Sequence, residues 1–216
     1  MPLSGPSLPP ADGKPARALV ILLHGLGSDG NDLIGLAPHW AALLPHAAFV
    51  SPNAPFPCDM APYGYQWFSL QDRTPARVLA GVQAAGPILD GFIDEQMALH
   101  GLAADKVALV GFSQGTMMSL HAAPRRKAAL AGVVGYSGRL IDDGALAREI
   151  ASRPPMLLVH GTQDEIVPYQ GLELSKAALE ALDVPVETVT CPGLGHGIDP
   201  AGLLAGGAFL QKVLAV

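Results

Sequence analysis

The sequence predicts an α/β protein built on an open, mostly parallel central sheet with helices on both faces. Three observations carry this. Short continuous apolar runs recur along the chain, longer segments of helical character separate them, and most of the runs lack polar alternation. Strands covered on both faces show that pattern, because neither face meets water. At 216 residues the chain is long enough for one domain that buries roughly 70% of its unfolded surface without a disulfide or metal staple.

The elements follow in order. Residues 1–16 contain five prolines and are expected to form a flexible N-terminal arm, leaving 17–216 as a single domain. Strand runs are Ala18–Leu23, Ala47–Val50, Val107–Val110, Leu130–Val134, Met156–Val159 and Val186–Thr190. The last alternates through Glu187 and its threonines, so it is placed nearer an edge. Thr74 with Pro75 at the first helical position opens a helix towards Leu99, with Pro87 expected to break or kink it. Residues 114–122, Tyr169–Leu182 and Gly202–Val216 are the other main helix candidates. Alternating strands and helices imply right-handed crossovers. The stretch Ser51–Asp72, with four prolines and Cys58, Met60, Tyr63, Tyr65, Trp67 and Phe68, interrupts the rhythm. A loop this long usually has a task; its aromatic content suits either a pocket wall or a cover over the core.

Composition removes several classes of function. Apolar residues make up 50% of the chain and charged residues 15%, which excludes a disordered polyelectrolyte. Net charge is −6, and the densest basic run is Arg125-Arg126-Lys127, so the electrostatic footprint of a nucleic-acid partner is missing. Two cysteines, Cys58 and Cys191, form neither a disulfide framework nor a metal-ligand spacing, and no His-x-His or His-x-x-x-His pair occurs, so no metal is expected. Without a cationic leader or an apolar run of about 18 residues, no integral membrane association is expected and the cytoplasm is the default compartment. Exposed helices are compatible with a homodimer, which no sequence feature specifies.

The sharpest chemical signal is Gly111-Phe112-Ser113-Gln114-Gly115. This G-x-S-x-G follows a strand run and leads into a helix, the context of a nucleophile elbow in which only small residues fit beside the serine. Serine is a weak nucleophile alone and needs a base, which in turn needs an orienting acid. Asp164 lies on the loop after Met156–Val159, and His196 lies between glycines on the loop after Val186–Thr190. Ser113, Asp164 and His196 are therefore candidate nucleophile, acid and base, with Glu165 as the rival acid and Asp199 too near His196 in sequence to orient it. His24 and His160 are expected to be structural. Met60, Trp67, Phe68 and Leu70, with Leu26 and Leu33, are candidates for an apolar acyl groove, or equally for packing beneath a loop.

Gly25, Gly27 and Gly30 support two readings. As G-x-G-x-x-G after a strand they match a dinucleotide fingerprint, but that also needs an acid about 20 residues on, and none occurs between Asp32 and Asp59. As a hydrolase loop, the same glycines let the N–H of Leu26, with that of Gln114, point at a developing oxyanion. The hydrolase reading explains both glycine motifs with one site.

Together, Gly-Phe-Ser-Gln-Gly at 111–115, His-Gly-Leu-Gly at 24–27, His-Gly-Thr-Gln-Asp at 160–164 and Gly-Leu-Gly-His-Gly at 193–197 resemble the phospholipase/carboxylesterase family of α/β-hydrolases, which includes acyl-protein thioesterases. The resemblance runs from about residue 17 to the C-terminus. It implies a Ser113–His196–Asp164 triad, an oxyanion hole from the amides of Leu26 and Gln114, and no large cap domain. It also implies a small-molecule acyl ester or thioester substrate and no cofactor. Thr116 and Gly197-Ile198 depart from the eukaryotic thioesterase branch and lean towards a bacterial-type carboxylesterase. The alternative from another class is an inactive hydrolase scaffold that binds a hydrophobic ligand or a partner.

Overall fold

The computed structural model describes residues 3–215. In chain order its elements are β1 (Ser7–Leu8), β2 (Ala18–Leu23), α1 (Gly30–Ile34), α2 (Ala37–Ala41), β3 (Ala47–Val50), β4 (Phe56–Pro57), β5 (Tyr65–Gln66), α3 (Pro75–His100), β6 (Val107–Phe112), α4 (Gln114–Ala122), β7 (Gly132–Tyr136), α5 (Leu146–Glu149), β8 (Met156–Gly161), α6 (Gln170–Glu180), β9 (Val186–Cys191) and α7 (Pro200–Val213). Seven strands form one sheet in the order β1-β3-β2-β6-β7-β8-β9. Every pairing in it is parallel except β1 with β3.

The strand residues divide between two cores by the period-2 rule. From β2, Leu19, Ile21 and Leu23 face α3, α4 and α6, whereas Ala18, Val20 and Leu22 face Trp40 of α2 and Phe209 and Leu210 of α7. All six β2 residues are buried, as the unalternating run requires. β9 lies at the sheet edge and is mostly exposed or half-buried, in keeping with its alternation.

The structure corrects three expectations. Described residues of the expected flexible arm are docked: Ser7–Leu8 pairs with Phe49–Val50, and the N–H groups of Ser51 and Asn53 donate to the carbonyls of Pro6 and Ser4. Proline density signalled a segment that cannot extend a strand, yet two residues suffice to satisfy the β3 edge. The 75–100 helix passes Pro87 unbroken. The strand expected at 130–134 begins and ends two residues later, because Leu130 is buried as core without joining the ladder.

Candidate active site

Strand β6 ends at Phe112 and α4 begins at Gln114, so Ser113 alone carries the reversal. Its φ of 53° is unusual for a residue with a side chain and marks a constrained position. Two bonds hold it there: Ser113 N–H donates to the Tyr136 carbonyl at 2.9 Å, and its own carbonyl accepts from Met117 N–H at 3.1 Å. A Cβ on Gly115 would fall 1.8 Å from the Leu23 carbonyl oxygen, and one on Gly111 would fall 2.4 Å from the Gly115–Thr116 backbone. Both glycines are required by space. The Thr116 hydroxyl lies 2.8 Å from the carbonyls of Gly111 and Tyr136, and its side chain fills the room left by Gly135 and Gly138.

The neighbouring strands β8 and β9 run parallel, so the loops leaving their C-terminal ends lie side by side. They are tied together: Thr162 N–H donates to Cys191 O, Gln163 N–H to Leu194 O, and Gly193 N–H to Thr162 Oγ1 at 2.9 Å. Gly161 permits this approach, since a Cβ there would stand 2.2 Å from the Leu194 carbonyl oxygen. Between the loops, His196 Nδ1 is 2.8 Å from Asp164 Oδ2. Asp164 Oδ1 accepts from the N–H groups of Ile166 and Val167 at 2.9 and 2.8 Å. Burial pushes the Asp164 carboxyl up, but the His196 hydrogen bond and the Val167 and Ile166 N–H groups outweigh it and hold it below the usual carboxylate range.

The rival acids are elsewhere. Glu165 is exposed, and Asp199 caps α7 by accepting from Gly202 N–H at 2.7 Å. His160 is closer to the centre than its sequence position indicated. Its Nε2 lies 2.8 Å from the Val167 carbonyl and 3.1 Å from Asp164 Oδ2, so two imidazoles face one carboxylate oxygen. The His160 Nδ1 is buried without a partner among the described residues.

Ser113 and His196 open onto one cavity of about 470 Å³, whose wall includes Leu26, Leu70, Phe112 and Met117. The His196 ring leans on Phe112 with centroids 4.9 Å apart. The structure draws no hydrogen bond between Ser113 and His196 among the described residues, and such contacts tighten when substrate binds. Of the six candidate groove residues, Leu26 and Leu70 line this cavity. Met60 is instead exposed, while Trp67 and Phe68 are fully packed in the core, as is Leu33 on the opposite face. The aromatic residues were drawn inward because Trp67 satisfies its only polar atom there, donating from Nε1 to the His24 carbonyl at 3.0 Å.

The 51–72 stretch therefore acts as a brace for the glycine loop. Gly27 N–H donates to Tyr65 O and Tyr65 N–H to Ser28 O, at 2.9 and 2.8 Å. The Gln114 side chain, which sequence reasoning passed over, accepts from Trp67 N–H and donates to the Phe68 carbonyl at 2.8 Å. His24 accepts from Ala54 N–H through Nε2, leaving Nδ1 to donate to the Gly25 carbonyl at 2.7 Å. Burial lowers its pKa and favours that neutral form. Leu26 thus stands in the cavity wall, and Gln114 N–H, at the first position of α4, has no intrahelical carbonyl to meet. The dinucleotide reading finds no room. Gly30 N–H is already capped by Asn53 Oδ1, and the Asp29 carboxylate occupies the start of α1.

Known proteins resemble this chain over most of its length. The Phospholipase/Carboxylesterase family model matches residues 10–214. The esterase YpfH of Escherichia coli is 33% identical over 191 residues, covering 86% of this chain and 78% of that protein. Acyl-protein thioesterase 1 of Schizosaccharomyces pombe is also 33% identical, over 91% of each chain. The crystal structure of esterase PE8 superposes with a TM-score of 0.95 at 42% identity, covering 99% of this chain and all of that one.

Proposed function

The chain belongs to the phospholipase/carboxylesterase family, and from that premise we propose that it hydrolyses carboxylic esters through a triad of Ser113, His196 and Asp164. The observation that carries this reading is the Asp164–His196 hydrogen bond at 2.8 Å, formed in the wall of the cavity that also exposes the constrained Ser113.

In the first step Ser113 Oγ attacks the acyl carbonyl while His196 Nε2 takes its proton. Asp164 keeps the other ring proton on Nδ1 and stabilises the imidazolium. The tetrahedral oxyanion is met by the N–H groups of Leu26 and Gln114, where one donor is worth roughly 3–4 kcal/mol. His196 then protonates the leaving alcohol, or the thiol of a thioester. Water repeats the sequence on the acyl-enzyme and frees the carboxylic acid.

A fluorophosphonate probe tests this directly. A single adduct on Ser113, mapped by mass spectrometry and lost in Ser113→Ala, is expected. Folded protein that takes no adduct would instead favour an inactive scaffold, and an adduct on another serine would displace the elbow.

A further inference from the structure

The wall of the Ser113–His196 cavity is largely apolar, yet two guanidinium groups stand in it. Arg73 and Arg139 both line this cavity, and neither has a carboxylate within ion-pair distance among the described residues. Arg77, by contrast, faces Asp72. The same wall also holds one acid, Asp32, which accepts from Ser28 Oγ at 2.7 Å and lies outside ion-pair distance of both arginines.

The two arginines are also held from below. Arg73 Nε donates to the Leu70 carbonyl at the cavity edge. The Arg139 stem lies along α6 at Gly171, where a Cβ would come within 3.1 Å of Arg139 Cβ and 3.3 Å of its Cδ. A glycine in that helix leaves the path of the arginine open. Two exposed guanidinium groups beside one cavity raise the positive potential at its mouth. That potential favours an anion entering the cavity. A guanidinium fork matches a carboxylate or phosphate oxygen pair.

Resting on the ester-hydrolase reading above, we propose that Arg73 and Arg139 form an anion subsite, so that the preferred substrate is an ester carrying a second, negatively charged group such as a carboxylate. The net charge of −6 would by itself disfavour such a substrate. A preference for one therefore has to come from these two side chains.

Matched esters test the proposal on both sides of the scissile bond. Monoethyl adipate is compared with ethyl hexanoate, and 3-carboxyphenyl butyrate with phenyl butyrate, by pH-stat at low salt. The expected result is a kcat/KM higher for the charged member of at least one pair by about five- to tenfold, carried mainly in KM. This ratio should shrink as salt is added. It should fall to about one in R73Q/R139Q, with Arg→Lys at each position keeping part of it. Both side chains are exposed, so these variants fold. A ratio of one or below in the unaltered protein for both pairs, or a ratio unchanged in the double variant, overturns the subsite and leaves the hydrolase reading standing. Folded protein that turns over none of the four esters overturns both.

Discussion

Asp164 carries more of the site than its role as third member indicates, because its carboxylate has no exposed surface and is met by two histidines and two backbone N–H groups. Asp164→Asn keeps the shape but exchanges an acceptor for a donor. With Oδ1 still accepting from Ile166 and Val167, the new amide N–H groups face both imidazoles. His196 must then accept through Nδ1, which puts its proton on Nε2 and leaves Ser113 without a base. The expected fall in kcat is about 10³–10⁴-fold, measured on a neutral ester. Full activity would transfer the acid role to Glu165. The lowered Asp164 pKa also has a sign. A depressed carboxyl contributes stability above its unfolded pKa and loses it as pH falls through the folded value. The proposed triad was legible in the sequence because each member follows an apolar run, with a glycine within three residues. The side-chain contacts of Gln114 were not, since partners 46 or 47 residues away leave no local pattern.

At the scale of elements, the aromatic stretch and the long helix show what an apolar pattern reports and what it omits. Hydrophobicity marked Trp67 and Phe68 for burial but could not say which side of the loop they would fill. That was decided by polar atoms, chiefly the Gln114 amide and the His24 carbonyl. Gln114→Ala strips partners from the buried Trp67 N–H and Phe68 carbonyl, at about 1–3 kcal/mol for each group left unpaired. Urea unfolding should show the loss. Esterase turnover should fall far less than in Ser113→Ala, because the donor proposed at this position is the backbone N–H. Pro87 is the complementary case. It withholds the N–H that would meet the Gln83 carbonyl, yet α3 continues because Val82, Ala85, Gly86, Leu89 and Phe92 are buried on both sides of it, while Pro87 itself faces solvent. The cost of proline is thus present in the folded state and offset by packing. Pro87→Ala should raise stability by about 1–2 kcal/mol, the helix gain reduced by the added freedom of the unfolded chain. A lowered Tm would show that the ring itself packs usefully.

For the whole molecule, the sheet separates two cores, and the loops that carry Ser113, Asp164 and His196 all leave one end of it. The face built from α3, α4 and α6 contains a titratable group with no part in the chemistry. His121 of α4 is 6% exposed and lies against Gly86 of α3. Its Nδ1 has no hydrogen-bond partner among the described residues. Burial, with the Arg125 charge beside it and only partly countered by Glu149 and Asp142, lowers its pKa to about 4 from 6.5. Between those two values the unfolded chain binds a proton that the folded chain refuses, so stability rises with pH across that window and is lost as pH falls through it. The loss from this one group is on the order of 3 kcal/mol, and His24, also lowered by burial, adds in the same direction. Acid unfolding should therefore begin while Asp164 is still ionised. Comparing His121→Gln with the unaltered protein by Tm at a series of pH values tests this. The difference between them should be constant above about pH 6.5 and move in favour of the variant below it. Parallel curves throughout would mean that the imidazole is hydrated in the folded state, and that acid sensitivity arises from the carboxylates alone.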